Sequence, residues 1–410
     1  MNSPQRSVAD YTVGWICALP VELGAAKAIL DEIHPRISRT DHGIYTLGAL
    51  DGHNIVIACL PAGVYGTSSA SIVATQMLHA FPSISFGLMV GIGGGVPSRK
   101  ADIRLGDVVV SRPVGSFGGV VQYDYGKEVG NGKIKHTGSL NKPPPFLLSA
   151  IGELEANHSI GFSEIASHLS QMLKRHPAMS KFMYPGSQSD MLYEAEYYHI
   201  DSPDGTCSRC SKRHSVYRPT RSSHEPVIHY GLIASGNKVM RDGVTRDQIA
   251  VELGGDVICF EMEAAGLMDT FPCIVIRGIC DYADSHKSKS WQPYAAAVAA
   301  AYAKELLSVV PVRHKTTQPM ASPTPISRET SSKIHRSQLP EDGNFGSRNN
   351  SYRVSHFVSP HSLQTNAQSM MAITTELLEL TGINYSPPLI KARFTFKVQL
   401  QTTEALSWGI

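Results

Sequence analysis

The chain has 410 residues, 42% hydrophobic and 18% charged, enough for one large or two medium domains and too apolar for wholesale disorder. Its formal net charge of +2 is too near neutral to hold nucleic acid or an acidic membrane by charge. Seven cysteines are scattered, several inside apolar runs (Cys17, Cys59, Cys259, Cys273), which reads as buried free thiols in a reducing compartment.

The N-terminal stretch "MNSPQRSVADYTV" carries no apolar signal core, so a secretory signal is not expected. From Asp10 to about Val312 strand and helix patterns alternate. Continuous β-branched runs predict buried strands at Thr12–Leu19, Asn54–Leu60, Ser85–Val90, Gly106–Ser111, Val227–Ser235, Val257–Phe260 and Cys273–Ile279. Helices are predicted over Val21–Glu32, Thr67–Phe81 with Thr67 as N-cap, Thr245–Leu253, Glu261–Asp269 and Tyr294–Val309. This rhythm predicts an α/β fold with helices on both faces of a mostly parallel sheet, and ligands at the carboxyl ends of its strands.

The segment from about 141 to 225 breaks the rhythm and reads as an insertion within a domain spanning 10–312. It holds "KPPPF", a modest helix around Leu147–Glu155, and a polar loop. The alanine-rich segment from Tyr294 is interrupted by Lys304 and Glu305 and suits a buried helix better than a bilayer span. Beyond it, 313–369 is Ser/Thr/Pro-rich and expected to be disordered, and 370–410 is a short segment with one possible helix at Met370–Gly382. A cytoplasmic protein with no membrane span is expected.

Carboxylates sit at the ends of the most hydrophobic elements. Asp281 follows the last strand in "RGICDYAD", either as a cap or salt-bridge partner of Arg277 or as a general acid. Glu261 and Glu263 straddle Met262 after "VICF". A helix N-terminus accounts for Glu261, while Glu263 can accept from two adjacent hydroxyls and Met262 can offer a soft surface to a sugar. Glu22 follows the first strand, as a first-turn acid of a helix or as a general base. The Gly-rich stretch "LMVGIGGGVP" lacks both a helix after it and a Gly-Lys-Ser/Thr. Gly91, Gly93 and Gly94 therefore read as a tight turn or as a close backbone approach to ligand.

"CALPVELGAAKAIL", "LMVGIGGGVP", "RLGDVVVS", "GLIASGNKVM", "FEMEAAGLMD" and "VIRGICDYAD" occur in the order found in the nucleoside phosphorylase superfamily, which the chain resembles over Asp10–Val312 apart from the middle segment. It is most similar to the purine and uridine phosphorylase-like domain of fungal proteins, including the N-terminal domain of fungal NOD-like receptors, and to 5′-methylthioadenosine/S-adenosylhomocysteine nucleosidase. The resemblance implies a three-layer α/β/α fold with a mixed, mostly parallel sheet and cleavage of the N-glycosidic bond of purine nucleosides. It places Met262 and Glu263 against the ribose, Asp281 as the acid that protonates the base at N7, and Glu22 as the carboxylate that activates water. Val239 and Met240 would line the base and Trp291 the 5′ substituent.

Phosphorolysis would need a cationic clamp on phosphate. The positions that carry it in phosphorylases of this class hold Met89 and, in the loop after the first strand, nothing nearer than Lys27, and a family hydroxyl is replaced by Ile92. Hydrolysis is thus favoured over phosphorolysis. A non-catalytic nucleoside-sensing or receptor-effector module is the remaining alternative. No cofactor or metal is expected, with inorganic phosphate a co-substrate only for a phosphorylase. The expected partner is a small purine nucleoside or nucleotide, with a homo-dimer or higher homo-oligomer implied by the family. Arg104, Arg112 and Lys127 are unassigned cations available to phosphates, and "CSRC" with His199 and His214 has half a zinc-site spacing without matching a standard finger.

Overall fold

The computed structural model describes residues 6–37, 43–129, 134–203 and 206–312. The chain divides into two units, Met1–Ala321 and Ser322–Ile410, and every described residue belongs to the first. The segments 313–369 and 370–410, with the helix expected at Met370–Gly382, lie outside the described residues.

In chain order the elements are β1 (Val13–Cys17), α1 (Pro20–Ile29), β2 (Glu32–His34), β3 (Tyr45–Leu50), β4 (His53–Cys59), α2 (Thr67–Ala80), β5 (Phe86–Gly95), β6 (Val108–Ser111), β7 (Val120–Gln122), β8 (Lys127–Glu128) and β9 (Ile134–Lys135). There follow α3 (Pro145–Ser159), α4 (Ile165–Arg175), β10 (Ile228–Ser235), α5 (Gly243–Glu252), β11 (Val257–Glu261), β12 (Cys273–Asp281) and α6 (Gln292–Val309). All seven expected strands form. The strands β2 and β3 were not expected; they extend one edge of the sheet, β3 antiparallel to β4 and β2 antiparallel to β3.

The main sheet runs β11-β10-β6-β12-β5-β1-β4-β3-β2, with β7 on β10. Its centre is parallel (β12–β5–β1–β4), while β12–β6 is antiparallel, so the sheet is mixed. The end of β5 also pairs antiparallel with β11 (Cys259 opposite Gly95, Phe260 opposite Gly94), which closes β5, β12, β6, β10 and β11 into a ring. Alternate residues of β1 serve opposite layers: Val13, Trp15 and Cys17 pack with α1 and α6, and Ile16 packs with Ala70, Ala74 and Met77 of α2. This gives the three-layer α/β/α architecture.

α6 packs directly on the sheet, against Gly278 of β12. Every residue from Tyr294 to Leu307 is buried, including Lys304, which bonds Asp31, and Glu305, which accepts from His158 (3.1 Å) and the Glu164 N–H (2.7 Å). That pairing is what lets two charges lie inside an otherwise apolar helix. Leu147, Ile151, Leu154, Ile165 and Met172 of the 141–225 segment join this core, so its two helices are part of the packing.

Three local expectations fail for identifiable reasons. Thr67 is not the N-cap; Gly66 is, at φ +100°, and the Asn237 side-chain oxygen accepts the Thr67 N–H at 3.1 Å, as a capping side chain would. The helix expected at Glu261–Asp269 is only a 3-10 turn at Ala264–Gly266, because Glu261 ends β11 and the α2 start packs against Gly266. The Gly-rich stretch is not a turn either: β5 runs straight through Gly91, Gly93 and Gly94.

A Cβ at Gly278 of β12 would sit 1.9 Å from the Ala295 carbonyl oxygen of α6. Neither backbone can yield without moving helix or strand. Gly278→Ala should therefore destabilise the domain by about 3 kcal/mol, the upper range for overpacking. The shift of the chemical-denaturation midpoint at unchanged m-value checks this, and a loss below about 1 kcal/mol would show that α6 can lift off the sheet.

Candidate active site

Three carboxylates far apart in sequence converge where β1, β5, β11 and β12 end. Pro20 opens α1 immediately after β1 and puts Glu22 in its first turn. The Glu22 carboxylate accepts three backbone N–H groups: Ala18 (2.7 Å) and Leu19 (2.9 Å) on Oε2, and Ile92 of β5 (2.8 Å) on Oε1. Burial raises its pKa, partly offset by Arg277 and by these N–H groups. One acceptor position of Oε1 remains over.

Arg277 is the centre of the arrangement. It lies on β12 directly opposite Gly91 of β5, and its guanidinium is fully buried. Nη2 bonds Glu261 and lies 3.4 Å from Glu263 Oε2, and Nη1 lies 3.4 Å from the Ile92 carbonyl. Burial disfavours its charge, but Glu261, Glu263 and Glu22 outweigh that and raise its pKa. Glu261 also accepts the N–H groups of Glu263 (3.1 Å) and Ala264 (3.0 Å), which fixes the backbone that presents Glu263. For Glu263 burial outweighs Arg277 and pushes its pKa up to about 7.

A β-bulge between Ile279 and Asp281 breaks the alternation of β12 just before the last carboxylate, a device common beside active sites. Asp281 is not the partner of Arg277. Its Oδ1 accepts from the Ala283 N–H (2.8 Å) and Lys287 Nζ (2.8 Å), and Cys280 Sγ approaches Oδ2 at 3.3 Å. Burial disfavours the Lys287 ammonium, but Asp281 outweighs it and raises its pKa.

Glu22, Glu263 and Asp281 all line one cavity of about 460 Å³, within the usual range for small-molecule sites. Of the other expected residues, Gly93, Gly94, Val239, Met240 and Met262 line it as well. Gly91 does not; it lies beneath the floor, where a Cβ would come 2.5 Å from both Glu22 Oε1 and Arg277 Nη1. At Gly94 a Cβ would be 2.7 Å from Asp281 Oδ1. These glycines thus give room to the acidic side chains as well as to whatever fills the cavity. Trp291 is elsewhere: it is buried between Tyr184 and Tyr294 (ring centroids 5.6 and 6.0 Å) and is absent from the cavity lining.

Several lining residues escaped the sequence reading. Tyr65 enters from the loop before α2, and Lys238, Arg241, Lys287 and Lys289 bring four cations to the wall. Lys238 and Arg241 flank Val239 and Met240, so the "GNKVMR" spacing held the only available hint. Arg104 and Arg112 are instead paired with Asp102 (2.8 Å) and Glu155 (3.0 Å), and Lys127 lies in β8.

Replacing Arg277 by Gln would leave Glu22, Glu261 and Glu263 buried without a counter-charge. The expected loss is about 3–5 kcal/mol near neutral pH. Carboxylates whose pKa is higher in the folded than in the unfolded state take up protons first in the folded state, so the deficit should shrink as pH falls. Denaturation across a pH series checks both points, and a deficit independent of pH would show that the carboxylates do not depend on Arg277.

The model of the phosphorylase superfamily matches residues 12–310. A nucleotide-binding leucine-rich repeat (NLR)-like protein of Hyaloscypha variabilis is 47% identical over 313 residues, covering 76% of this chain and only 30% of that longer protein. The 5′-methylthioadenosine/S-adenosylhomocysteine nucleosidase of Mycobacterium bovis is 22% identical over 306 residues, 73% of this chain and 97% of that protein. The ATP nucleosidase Cap17 of Escherichia coli is 25% identical over 297 residues, 70% of this chain and 48% of that protein. With the family model spanning nearly the whole described domain and the fold built as above, the chain belongs to the phosphorylase superfamily.

Proposed function

We propose that the domain hydrolyses the N-glycosidic bond of a purine nucleoside or nucleotide. The observation that carries the reading is the meeting of Glu22, Glu263 and Asp281 around one cavity of nucleoside size. Asp281 protonates the base at N7 as the bond from the anomeric carbon to the base nitrogen breaks. Water adds to the anomeric carbon and passes a proton to Glu22. The products are free base and free sugar, and proton exchange with solvent resets both carboxyl groups. Glu263 accepts hydrogen bonds from the ribose diol, with Met262 against the sugar. Val239 and Met240 face the base.

Water is favoured over phosphate as nucleophile by the floor itself. The arginine there, Arg277, is engaged by Glu261 and Glu263, and the wall beside Glu22 is the apolar Ile92. The lining also carries cations. Lys287 is paired with Asp281, whereas Lys238, Arg241 and Lys289 line the cavity with no ion pair to any of the three among the described residues. They suit a 5′-phosphate or polyphosphate, and the similarity to an ATP nucleosidase points the same way.

Release of free base from a panel of purine nucleosides and their 5′-phosphates, with and without inorganic phosphate, tests the reading. Release independent of phosphate is expected; a strict requirement for phosphate would make the domain a phosphorylase, and no release at all would leave a binding module. Asp281→Asn and Glu22→Gln should each lower kcat by about 10²–10⁴-fold with KM little changed. Turnover at the wild-type rate in either variant would remove that residue from its role.

For the 5′ end, Lys238→Glu combined with Arg241→Glu should raise KM for a 5′-phosphorylated substrate about tenfold and leave KM for the uncharged nucleoside nearly unchanged. Equal effects on both would sink the phosphate assignment.

A further inference from the structure

Outside the cavity, a second cluster joins the loop preceding β10 to the residues that follow β12. Cys207 and Cys210 Sγ and a ring nitrogen of His199 all lie within 4.8 Å of one another. A tetrahedral cation with thiolate bonds of about 2.3 Å holds its ligand atoms about 3.8 Å apart, so a small inward adjustment suffices. The turn that presents the thiols is already formed. Cys207–Arg209 is a 3-10 turn capped by Thr206, and the Cys210 N–H bonds the Cys207 carbonyl at 3.0 Å.

The surroundings match such a ligand set. Cys210 is buried, and its sulfur accepts the Ile200 N–H at 3.5 Å. The Thr206 carbonyl can only accept, so His199 Nε2 at 3.2 Å must donate to it, which leaves the Nδ1 lone pair for a cation, with the exposed Asp201 carboxylate 3.6 Å away. His286 is buried, its ring stands edge-on to that of His199 with centroids 5.5 Å apart, and its Nε2 has no hydrogen-bond partner among the described residues. His214, the other histidine suggested by the sequence, is instead held by Glu194 (2.9 Å) and stacked on Tyr197.

We infer that His199, Cys207 and Cys210 bind a structural zinc-type divalent cation, and that the neighbouring His286 ring, outside their 4.8 Å group, moves in as the fourth ligand. Two thiolates and two imidazoles select a borderline-soft, tetrahedral ion over calcium or magnesium. The cation would tie the loop to the segment Asp284–His286, where the His199 N–H already bonds Ser285 Oγ at 2.9 Å, four residues beyond Asp281. None of the four ligands lines the candidate active site, so the role is to brace its wall.

Zinc content of the full chain, purified reduced and without chelator, tests this independently of any activity. One zinc per chain is expected. After chelation, Co²⁺ should restore a thiolate-to-cobalt absorption band, and that band should be lost in the Cys207→Ser, Cys210→Ser double variant. Should the double variant not fold, His199→Asn keeps both thiols and should still lower Zn²⁺ affinity by about a hundredfold, as should His286→Gln. Wild-type protein with neither zinc nor the cobalt band, a double variant that keeps its full zinc, or a Cys207–Cys210 disulfide in the isolated protein would overturn the site. Unchanged affinity in His286→Gln would overturn the fourth ligand.

Discussion

One buried guanidinium holds the site together. Arg277 is in the middle of a strand buried along its whole length, and Glu261, Glu263 and Glu22 are arranged around it. A charge in that position is tolerable only when paired and hydrogen-bonded, and each of these carboxylates is tolerable for the same reason. The arrangement explains why acidic residues sit at the ends of hydrophobic elements in this chain. Glu22, Glu261 and Glu263 are members of one ionic cluster around Arg277, arriving from α1, the end of β11 and the turn after it.

The cluster also dictates backbone features around it. Gly91 has no side chain because Arg277 and Glu22 occupy the space above it. Glu261 caps the short turn that carries Glu263, so the same carboxylate both pairs the guanidinium and orients its neighbour. The closure of β11 onto β5 brings these residues beside the bulged end of β12, where Asp281 leaves the regular strand and finds Lys287. A carboxylate engaged by Lys287 and an acidic cluster neutralised by Arg277 are then separate electrostatic units within one hollow. That separation is what chemistry with distinct acid and base roles requires.

Much of the fold was legible because its signals are local. Apolar runs bounded by turn residues identified the central strands to within a few residues, and the motif order from Glu22 to Asp281 pointed to the superfamily. The errors share a physical origin. Thr67 reads as a cap in sequence because Asn237, which satisfies its N–H, is remote along the chain. The glycines of β5 look like a turn until the side chains crossing them are placed. Trp291 sits in a segment that borders the cavity, yet its ring points into the layer with Tyr184 and Tyr294, a choice made by packing.

Hydrophobic periodicity and residue chemistry along the chain were sufficient for the fold class, the buried character of α6, and the identity of the acidic residues at the strand ends. They could not reveal that Arg277 serves Glu261 and Glu263 while Asp281 belongs to Lys287, nor that four cations share the cavity with them. Although these ion pairs join groups only 6 to 16 residues apart, which partner each charge takes, and enclosure with Glu22 and Lys238 in one cavity, depend on distances that the local sequence does not set. Those distances exist only once strand order, the closure of β5 onto β11, and the bulge in β12 have been set by packing of the whole sheet.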